Sequence, residues 1–593
     1  MRIATSIKFS GLLGFAVAGA TCAGASGDTI TVDGAGGADF ISIQAAMDAA
    51  HDGDEIRVAS GNYTATGPAV VDFLGKSVRL IAVAGRDATS ITATGTQAGV
   101  LFSHGETAGA SLIGFSVIGG DAWSAHATAI RVVDSSPSIS DCSLGYYGSW
   151  AQALSMTNSA AHVFDCSMGG ASGHLPACSL MACSAIFERC SMAASLVGYL
   201  GMAGWEIDGG GAIDANGDRS QFADCIFEGS RRQGPGGAVR LGDASSQFVR
   251  CSFINNRNDP MTPYTYFSSG AAGGAMQIAG SNSDVSLDAC YFVGNYARGV
   301  GYCAWHTCVS AASYGGAIVV LDGSLSITSC LFHRNSAQAT VALSNGGGRG
   351  GAVAFFGVGR LDIRGTVFTE NEARHGGAIY NGGATDTGLW IDACRFDSNS
   401  VSSDAPWFAA QGSALWSGQY ESNPAVRFLS SSHFQSNGGS ATGVIFLDNA
   451  SAIAARSFLV GGVSFCGNAA TPVIGGFREL APNCESTDCS DTNGDGVPDS
   501  CFSTVRVDCN SNGIWDASEL AFGMASDLDG DGRLDSCGCF GDLDSDHWVG
   551  GADLVALLTN WGQPGPRPED LDGSGVVDAG DMGLLLAAWG ACP

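Results

Sequence analysis

From Gly315 to Asn335 the chain reads GGAIVVLDGSLSITSCLFHRN. Two short apolar runs flank a Gly-containing turn, and a Cys, a Phe and an Asn follow at fixed offsets. The same order returns along the chain. The small-residue triplet recurs at Gly210, Gly236, Gly273, Gly350 and Gly376, with a variant at Gly412. The Phe recurs at Phe227, Phe253, Phe292, Phe368, Phe396, Phe434 and Phe465, and the Asn at Asn256, Asn295, Asn371, Asn399, Asn437 and Asn468. The shortest units, Gly210 to Gly236 and Gly350 to Gly376, span 26 residues. Short alternating runs without a helical period make each unit a turn of strands, and repeats of this length stack as a solenoid. Stacking sets like residues over like residues about 4.8 Å apart. That predicts a continuous Phe core and a corner where each Asn amide bonds the next. Asn also tolerates the left-handed backbone of a tight corner, and Gly-Gly permits a second corner that side chains would block.

The pattern resembles the right-handed parallel β-helix of the pectin-lyase-like superfamily, over roughly residues 28–480. The resemblance implies an all-β solenoid and an enzyme family that acts through Asp clusters, sometimes with Arg or calcium, on one sheet face. The chain has neither a paired Asp-Asp nor a Gly-His-Gly motif. Asp362 and Asp392 fall on matching strands of neighbouring rungs, but outward strand positions are polar anyway. Arg374-His375 and Trp305-His306 are weak signals, and no catalytic residue is assigned. Upstream, Phe40, Ile43, Met47 and Ala50 follow helical spacing. A short amphipathic helix there would cap the first rung and cover its open edge. Strand-like runs follow at Glu55–Val58 and Val78–Val83.

Insertions are not scattered. The longest fall between the Asn and the next small-residue triplet, at 257–272, 296–314 and 400–411, hence at one corner of successive rungs. They bring Tyr264, Tyr266, Tyr302, Trp305, Tyr314 and Trp407 towards one face. Aromatic rings lining a groove hold sugar rings by stacking, and long loops on a rigid scaffold carry function. The alternative is that these rings fold back and close their own loops.

Arg2 and Lys8 precede an apolar run, Phe9 to Ala20, with small residues after it. This is the pattern of a secretory signal peptide over residues 1–25, so an extracellular or cell-surface location is expected. No other apolar run is long enough to span a membrane. The 21 cysteines split into classes. Cys142, Cys166, Cys190, Cys225, Cys251, Cys290, Cys330 and Cys394 share one repeat position, which Thr366 and Ser432 hold elsewhere. A position that accepts Thr or Ser is a slot for a small side chain, so stacked reduced thiols are expected there. Cys178 with Cys183, and Cys303 with Cys308, lie off that column and read as local disulfides. Of the formal charge of −30, residues 485–593 supply −18, with 21 acidic and 3 basic residues. This disfavours nucleic acid as a partner, and it disfavours a polyanion unless bound cations offset the field.

The acidic C-terminal region (485–539, then 540–593) carries a specific spacing. An EF-hand-like loop takes oxygen ligands at positions 1, 3, 5, 9 and 12 with Gly at 6. Asp508, Asn510, Asn512, Asp516 and Glu519 match it, as do Asp570, Asp572, Ser574, Asp578 and Asp581. Asp542, Asp544, Asp546 and Asp553 form another loop, with His547 in place of the Gly. Asp491, Asn493, Asp495 and Asp499, and Asp527, Asp529, Asp531 and Asp535, form shorter loops. These two resemble thrombospondin type 3 calcium repeats. Calcium is therefore the expected cofactor, coupled to folding. GDLDSDHWVGGADLVALLTNWG is echoed by EDLDGSGVVDAGDMGLLLAAWG. This duplicated loop-helix resembles a type I dockerin, an α-helical EF-hand-like domain that implies a cohesin-like protein partner. Leu554, Leu557, Leu558, Trp561, Leu584, Leu585 and Trp589 are core or partner face.

Three readings stay open: a polysaccharide hydrolase or lyase, towards which the dockerin resemblance tips the balance; a non-catalytic glycan-binding protein; and a structural or adhesive surface protein. Polysaccharide is the expected partner in the first two.

Overall fold

The computed structural model describes residues 27–593 apart from 121–126, 147–150, 170–174, 194–210, 233–235, 259–270, 300–301, 305–306, 310–311, 340–346, 383–387, 403–409, 419–426, 440, 449–457, 470, 475–476, 482, 493–497, 502–507, 511–513, 515, 522–523, 526–533, 535–540, 544–547, 565–568, 572–573 and 592–593. The chain coils through three long sheets of 14, 16 and 15 strands, named first, second and third in the order each rung visits them. One rung shows the circuit: Ile318–Val320 in the first sheet, Ser324–Thr328 in the second and Leu331–His333 in the third. Ser336–Ala339 then joins a shorter sheet of seven strands before the chain returns. Neighbouring strands pair in parallel and in register, as with Leu325 on Leu361 and Phe332 on Phe368. The architecture is a parallel β-helix.

The Phe column runs unbroken. Phe253, Phe292, Phe332, Phe368, Phe396 and Phe434 stack face to face with ring centroids 4.5 to 5.0 Å apart. All six are fully buried. The spacing follows from the separation of stacked strands, which is close to an aromatic stacking distance.

The Asn column forms the expected ladder. The Oδ1 of Asn335 accepts from the backbone N–H and the Nδ2 of Asn295, at 3.0 and 2.9 Å. Its own Nδ2 donates to the Phe292 carbonyl and to Asn371 Oδ1, at 2.9 and 3.0 Å. Every hydrogen-bonding position of the buried amide is used. The expected reason for Asn is corrected, however. The left-handed residue is the one before it: Arg334 at φ 54, Glu370 at 53, Ser398 at 54 and Ser436 at 54. Asn is needed for its amide, not for its backbone. The Gly-Gly corner is a matter of space, since a Cβ on Gly316 would stand 2.0 Å from the Gly351 carbonyl oxygen.

The eight column cysteines are free and buried. Each thiol sits in a slot with polar walls. Cys330 Sγ faces the Thr328 and Leu287 carbonyls at 3.2 and 3.7 Å, and it accepts the Cys290 N–H at 3.3 Å. Thr366 Oγ1 and Ser432 Oγ take the same bonds from Cys330 and Cys394, which explains why a hydroxyl substitutes there. The expected Cys178–Cys183 bridge is overturned: both are free and buried. Cys178 opens the strand Cys178–Met181 and donates to Met168 Sδ at 3.3 Å, whereas Cys183 faces the Met181 carbonyl. The two thiols point into the core at different columns. Cys303 lies directly opposite Cys308 in an antiparallel hairpin. Two unanticipated disulfides, Cys466–Cys489 and Cys484–Cys501, fasten the last rungs to the start of the acidic region.

Helix Ile43–Ala49, N-capped by Ser42, buries Ile43, Ala46 and Met47 against the first rung, as the helical spacing predicts. Beyond the solenoid's last strand, Cys484–Ser486, helix Asp516–Ala521 lies against strands Arg427–Ser430, Phe458–Gly461 and Arg478–Ala481. Helices Gly551–Thr559 and Ala579–Ala587 pack on each other around Val549, Leu557, Leu571, Val577 and Leu585. Among the described residues no helix is long and apolar enough to cross a membrane.

Candidate functional site

The outer face of the first sheet departs from the polar exterior of the rest. At one outward register position the rungs carry Gln277, Val319, Ala354, Tyr380, Trp416 and Phe446 in succession. Just before the Gly-Gly corner a second row runs alongside: Tyr314, Arg349, His375 and Gln411. The two rows interlock. Tyr380 and Trp416 stack at 4.2 Å and 4°. The Arg349 guanidinium lies 5.5 Å from the Tyr314 ring and 5.4 Å from that of Tyr380. Phe356 closes on Tyr314 edge-on at 4.9 Å, and Trp416 Nε1 donates to Gln411 Oε1 at 3.2 Å. Tyr380 and Trp416 are buried, forming a small apolar cluster outside the main core, while Tyr314, Arg349 and Gln411 are half-buried and form its accessible edge.

His375 stands in this strip with its Nδ1 buried and unpartnered. Burial, then the charges of Arg374 and Arg349, push its pKa down to about 4, so the imidazole is neutral. Gln277 Oε1 and Asn381 Oδ1 on the same sheet are also buried without partners. Arg427, a buried cation, reaches Ser417 Oγ and the Gly418 carbonyl, and burial lowers its pKa to about 10.

Of the aromatics expected at this corner, Tyr314 is in the strip and Tyr302 lies in the antiparallel hairpin. Tyr264, Tyr266, Trp305 and Trp407 lie outside the described residues. Sequence reading missed Arg349, Tyr380 and Trp416, because it looked for site residues in insertions rather than within strands. The available signal was a large ring at an outward position that other rungs fill with Gln, Val or Ala.

Asp362 and Asp392 on the second sheet do not pair in register. Asp362 is held by Arg360 at 2.7 Å and by Arg364 at 2.9 and 3.1 Å. It lies beside Trp390 in register, while Asp392 lies beside Arg364 and accepts from Ser430 Oγ. Arg360 also stacks on Trp390 at 3.9 Å. Among the described residues no two carboxylates face each other across the aromatic strip.

In the acidic region the described loop residues fold around their own carboxylates. Asp516 Oδ1 accepts the Cys509 N–H, and Asn510 Nδ2 donates to Glu519. Burial raises the Asp516 carboxyl above its usual value, and the nearby Glu519 and Asp508 charges add to this. Asp499 accepts from the backbone N–H and the hydroxyl of Thr492, and Asp491, next to Thr492 in sequence, is half-buried. The last two loops match each other. Asp553 accepts the Leu543 and Gly550 N–H groups, and Asp581 accepts that of Asp578. Asp570 Oδ2 takes the Gly575 N–H, while its Oδ1 is buried without a partner. Asp542 and Ser574 flank these groups. Asn493, Asp495, Asn512, Asp527, Asp529, Asp531, Asp535, Asp544, Asp546 and Asp572 lie outside the described residues. Of the helix residues named above, Leu557 and Leu585 are core, whereas Leu558, Trp561 and Trp589 are 42 to 48% exposed and face solvent.

No family model matches the chain, and no curated protein does. Among solved structures, ORF18 of Geobacillus virus E2 is 14% identical over 59% of this chain and 50% of its own, with a TM-score of 0.27; the chain thus spans half the length of that protein. Pectate lyase Pel9A is 9% identical over 57% of this chain and 77% of its own, with a TM-score of 0.28. Carrot pectin methylesterase is 13% identical over 68% and 89%, with a TM-score of 0.20. The fold stands on the strand registers themselves, and these likenesses add nothing about the chemistry of the strip.

Proposed function

We propose that this is an exported, calcium-loaded β-helix protein that binds polysaccharide at the Tyr314–Arg349 edge and is tethered through its C-terminal pair of loop-helix units. The observation that carries the binding reading is the Arg349 guanidinium held between two aromatic faces, at the corner where the long insertions fall. Such an edge offers a ring face for a sugar and fixed donors for its hydroxyl or carboxylate oxygens. Tyr380 and Trp416 behind it supply a rigid floor. Glycoside hydrolysis needs two facing carboxyl groups, and the described strip offers none, so binding is favoured over the hydrolase reading. Cleavage remains a second reading on one observation: the neutral, unpartnered His375 imidazole in the same strip.

The residues present fit calcium in the last loop. A buried carboxylate oxygen without a partner is costly, and Asp570 Oδ1 sits at the first ligand position. Asp570, Ser574, Asp578 and Asp581 would hold the ion, together with Asp572. Bound there, calcium would offset the clustered charge and fix the start of helix Ala579–Ala587. The exposed Leu558, Trp561 and Trp589 then supply an apolar face suited to a cohesin-like protein.

The test is binding of the full chain to a panel of neutral and acidic polysaccharides, with reducing-end and unsaturated-product assays alongside. Arg349→Ala is expected to weaken binding by roughly tenfold, from the loss of the fixed guanidinium donors that would meet the sugar oxygens. Binding unchanged in both Arg349→Ala and Tyr314→Ala would overturn the site. Product release abolished by His375→Gln would replace binding with catalysis.

A further inference from the structure

The N-terminal end of the solenoid carries a cluster of another kind. Asp72 ends the strand Ala69–Asp72, and His104 and Glu106 lie in the turn after the next rung's strand, Ala98–Phe102. His104 Nδ1 is 3.5 Å from Asp72 Oδ1 and 3.9 Å from Glu106 Oε1. One ligand atom from each residue lies within 4.8 Å of the other two. From this geometry we infer that Asp72, His104 and Glu106 form a binding site for a divalent transition-metal ion of the zinc, cobalt or nickel class.

The donor set decides the class of ion. Calcium and magnesium take oxygen ligands, whereas an imidazole nitrogen with carboxylate oxygens suits the borderline transition metals. Ligand atoms about 2 Å from a tetrahedral zinc ion are themselves a little over 3 Å apart, so the two His104 pairs, at 3.5 and 3.9 Å, need only a small inward movement. The surroundings are built to hold the ligands. Glu106 is 2% exposed, and its carboxylate is held by donors from the His104 N–H, the Ser135 hydroxyl and the Gly75 N–H. The oxygen facing His104, Oε1, takes the Gly75 N–H at 2.9 Å and keeps a second lone pair. Asp72 Oδ1 likewise takes the Leu74 N–H at 3.0 Å. Ser103 Oγ, 3.3 Å from His104 Nδ1, would yield to the ion or add an oxygen. A Cβ on Gly75, at φ 78, would press on the His104 backbone and Cβ at 3.2 to 3.4 Å, so this turn leaves room for the histidine.

The site would act as a clamp. Gln44 of the cap helix bonds both backbone groups of Asp72, and Glu106 reaches Ser135 in the following rung. One ion would therefore tie the cap helix and three successive rungs at the end most exposed to fraying. It is independent of the polysaccharide strip and of the acidic loops, whose oxygen-only ligands select a different ion.

The experiment uses the untagged full chain in millimolar calcium, so that oxygen-only loops are filled, and titrates it with Co2+ as the probe. Wild type is expected to bind one equivalent that His104→Ala lacks, with a visible ligand-field band that Asp72→Asn weakens. Affinity should fall by at least roughly tenfold in His104→Ala. Zinc should raise the unfolding temperature of wild type and leave that of His104→Ala unchanged. His104 is half exposed, so its loss should not prevent folding. Equal cobalt uptake by wild type and His104→Ala, or complete displacement of that cobalt by calcium, would overturn the assignment and leave an ordinary His–carboxylate pair.

Discussion

At the scale of single residues, the solenoid depends on columns in which each member satisfies the next. Phe332 lies between Phe292 and Phe368 at 4.7 and 4.9 Å. Phe332→Ala should cost roughly 3–5 kcal/mol, because rungs held on both sides cannot collapse into the gap; a urea midpoint that barely moves would show that the column is not the core. Asn335 serves two neighbours at once, so its truncation would strand the Asn295 donors and the Phe292 carbonyl. The thiol column behaves differently. Cys330→Ser should be nearly neutral, since Thr366 and Ser432 already make the slot's bonds. Alkylation and peptide mapping of the denatured protein should recover Cys251, Cys290 and Cys330 reduced; a Cys290–Cys330 cross-link would contradict the slot.

At the scale of elements, the acidic loops and the short helices they open are the dependent parts. Helices Gly551–Thr559 and Ala579–Ala587 each span nine residues, too short to persist without support. Among the described residues their core is five buried side chains. Chelation is expected to remove the helical circular dichroism of fragment 540–593, and calcium to restore it. Asp570→Ala should weaken the restoration more than Asp546→Ala, because Asp570 carries the unpartnered buried oxygen and the other loop departs from pattern at His547. Helical signal indifferent to chelator would remove both the calcium and the dockerin-like readings. The rung ladder needs no ion, so the solenoid's strand signal should survive. Helix Asp516–Ala521, which opens at an acidic loop yet leans on the last rungs, should be the element through which chelator reaches them.

At the scale of the whole molecule, stability should fall at both pH extremes for identifiable reasons. Burial lowers His375 to about 4 and also lowers His433. The folded state thus binds fewer protons than the unfolded one, so this stabilisation is full above about 6.5 and is lost as pH falls towards 4. Burial raises the Cys394 thiol from 9.0 to about 12, so its contribution is full below 9 and is lost as pH rises through 12. Denaturant midpoints across pH should show a plateau between these limbs. His375→Gln should flatten the acid limb and leave the alkaline one; an unchanged acid limb would place that limb's origin elsewhere.

The sequence by itself determined the coil. Stacked rungs impose the same surroundings at the same offset, so Phe, Asn and the Cys slot repeat visibly, and the capping helix shows because burying one face requires helical spacing. The acidic region's spacing is visible for a similar reason: a ligand set drawn from one short segment would have to be written locally, which is why the calcium proposal could be framed from sequence. Only tertiary structure decided the rest. Arg, Glu, Ser, Asn and Gly all take the left-handed position before a ladder Asn, because the ladder bonds on either side hold the corner whichever residue occupies it. Tyr314, Arg349 and Tyr380 meet through the register of separate rungs, at outward positions that obey no repeat. Asp72, His104 and Glu106 converge in the irregular first turns, where no column announces them. Cys178 and Cys183, neighbours in sequence, are parted because a rung's turn sends their side chains to different core columns. Proximity along the chain creates a site only when the ligands share a segment; elsewhere the stacking of rungs decides which side chains meet.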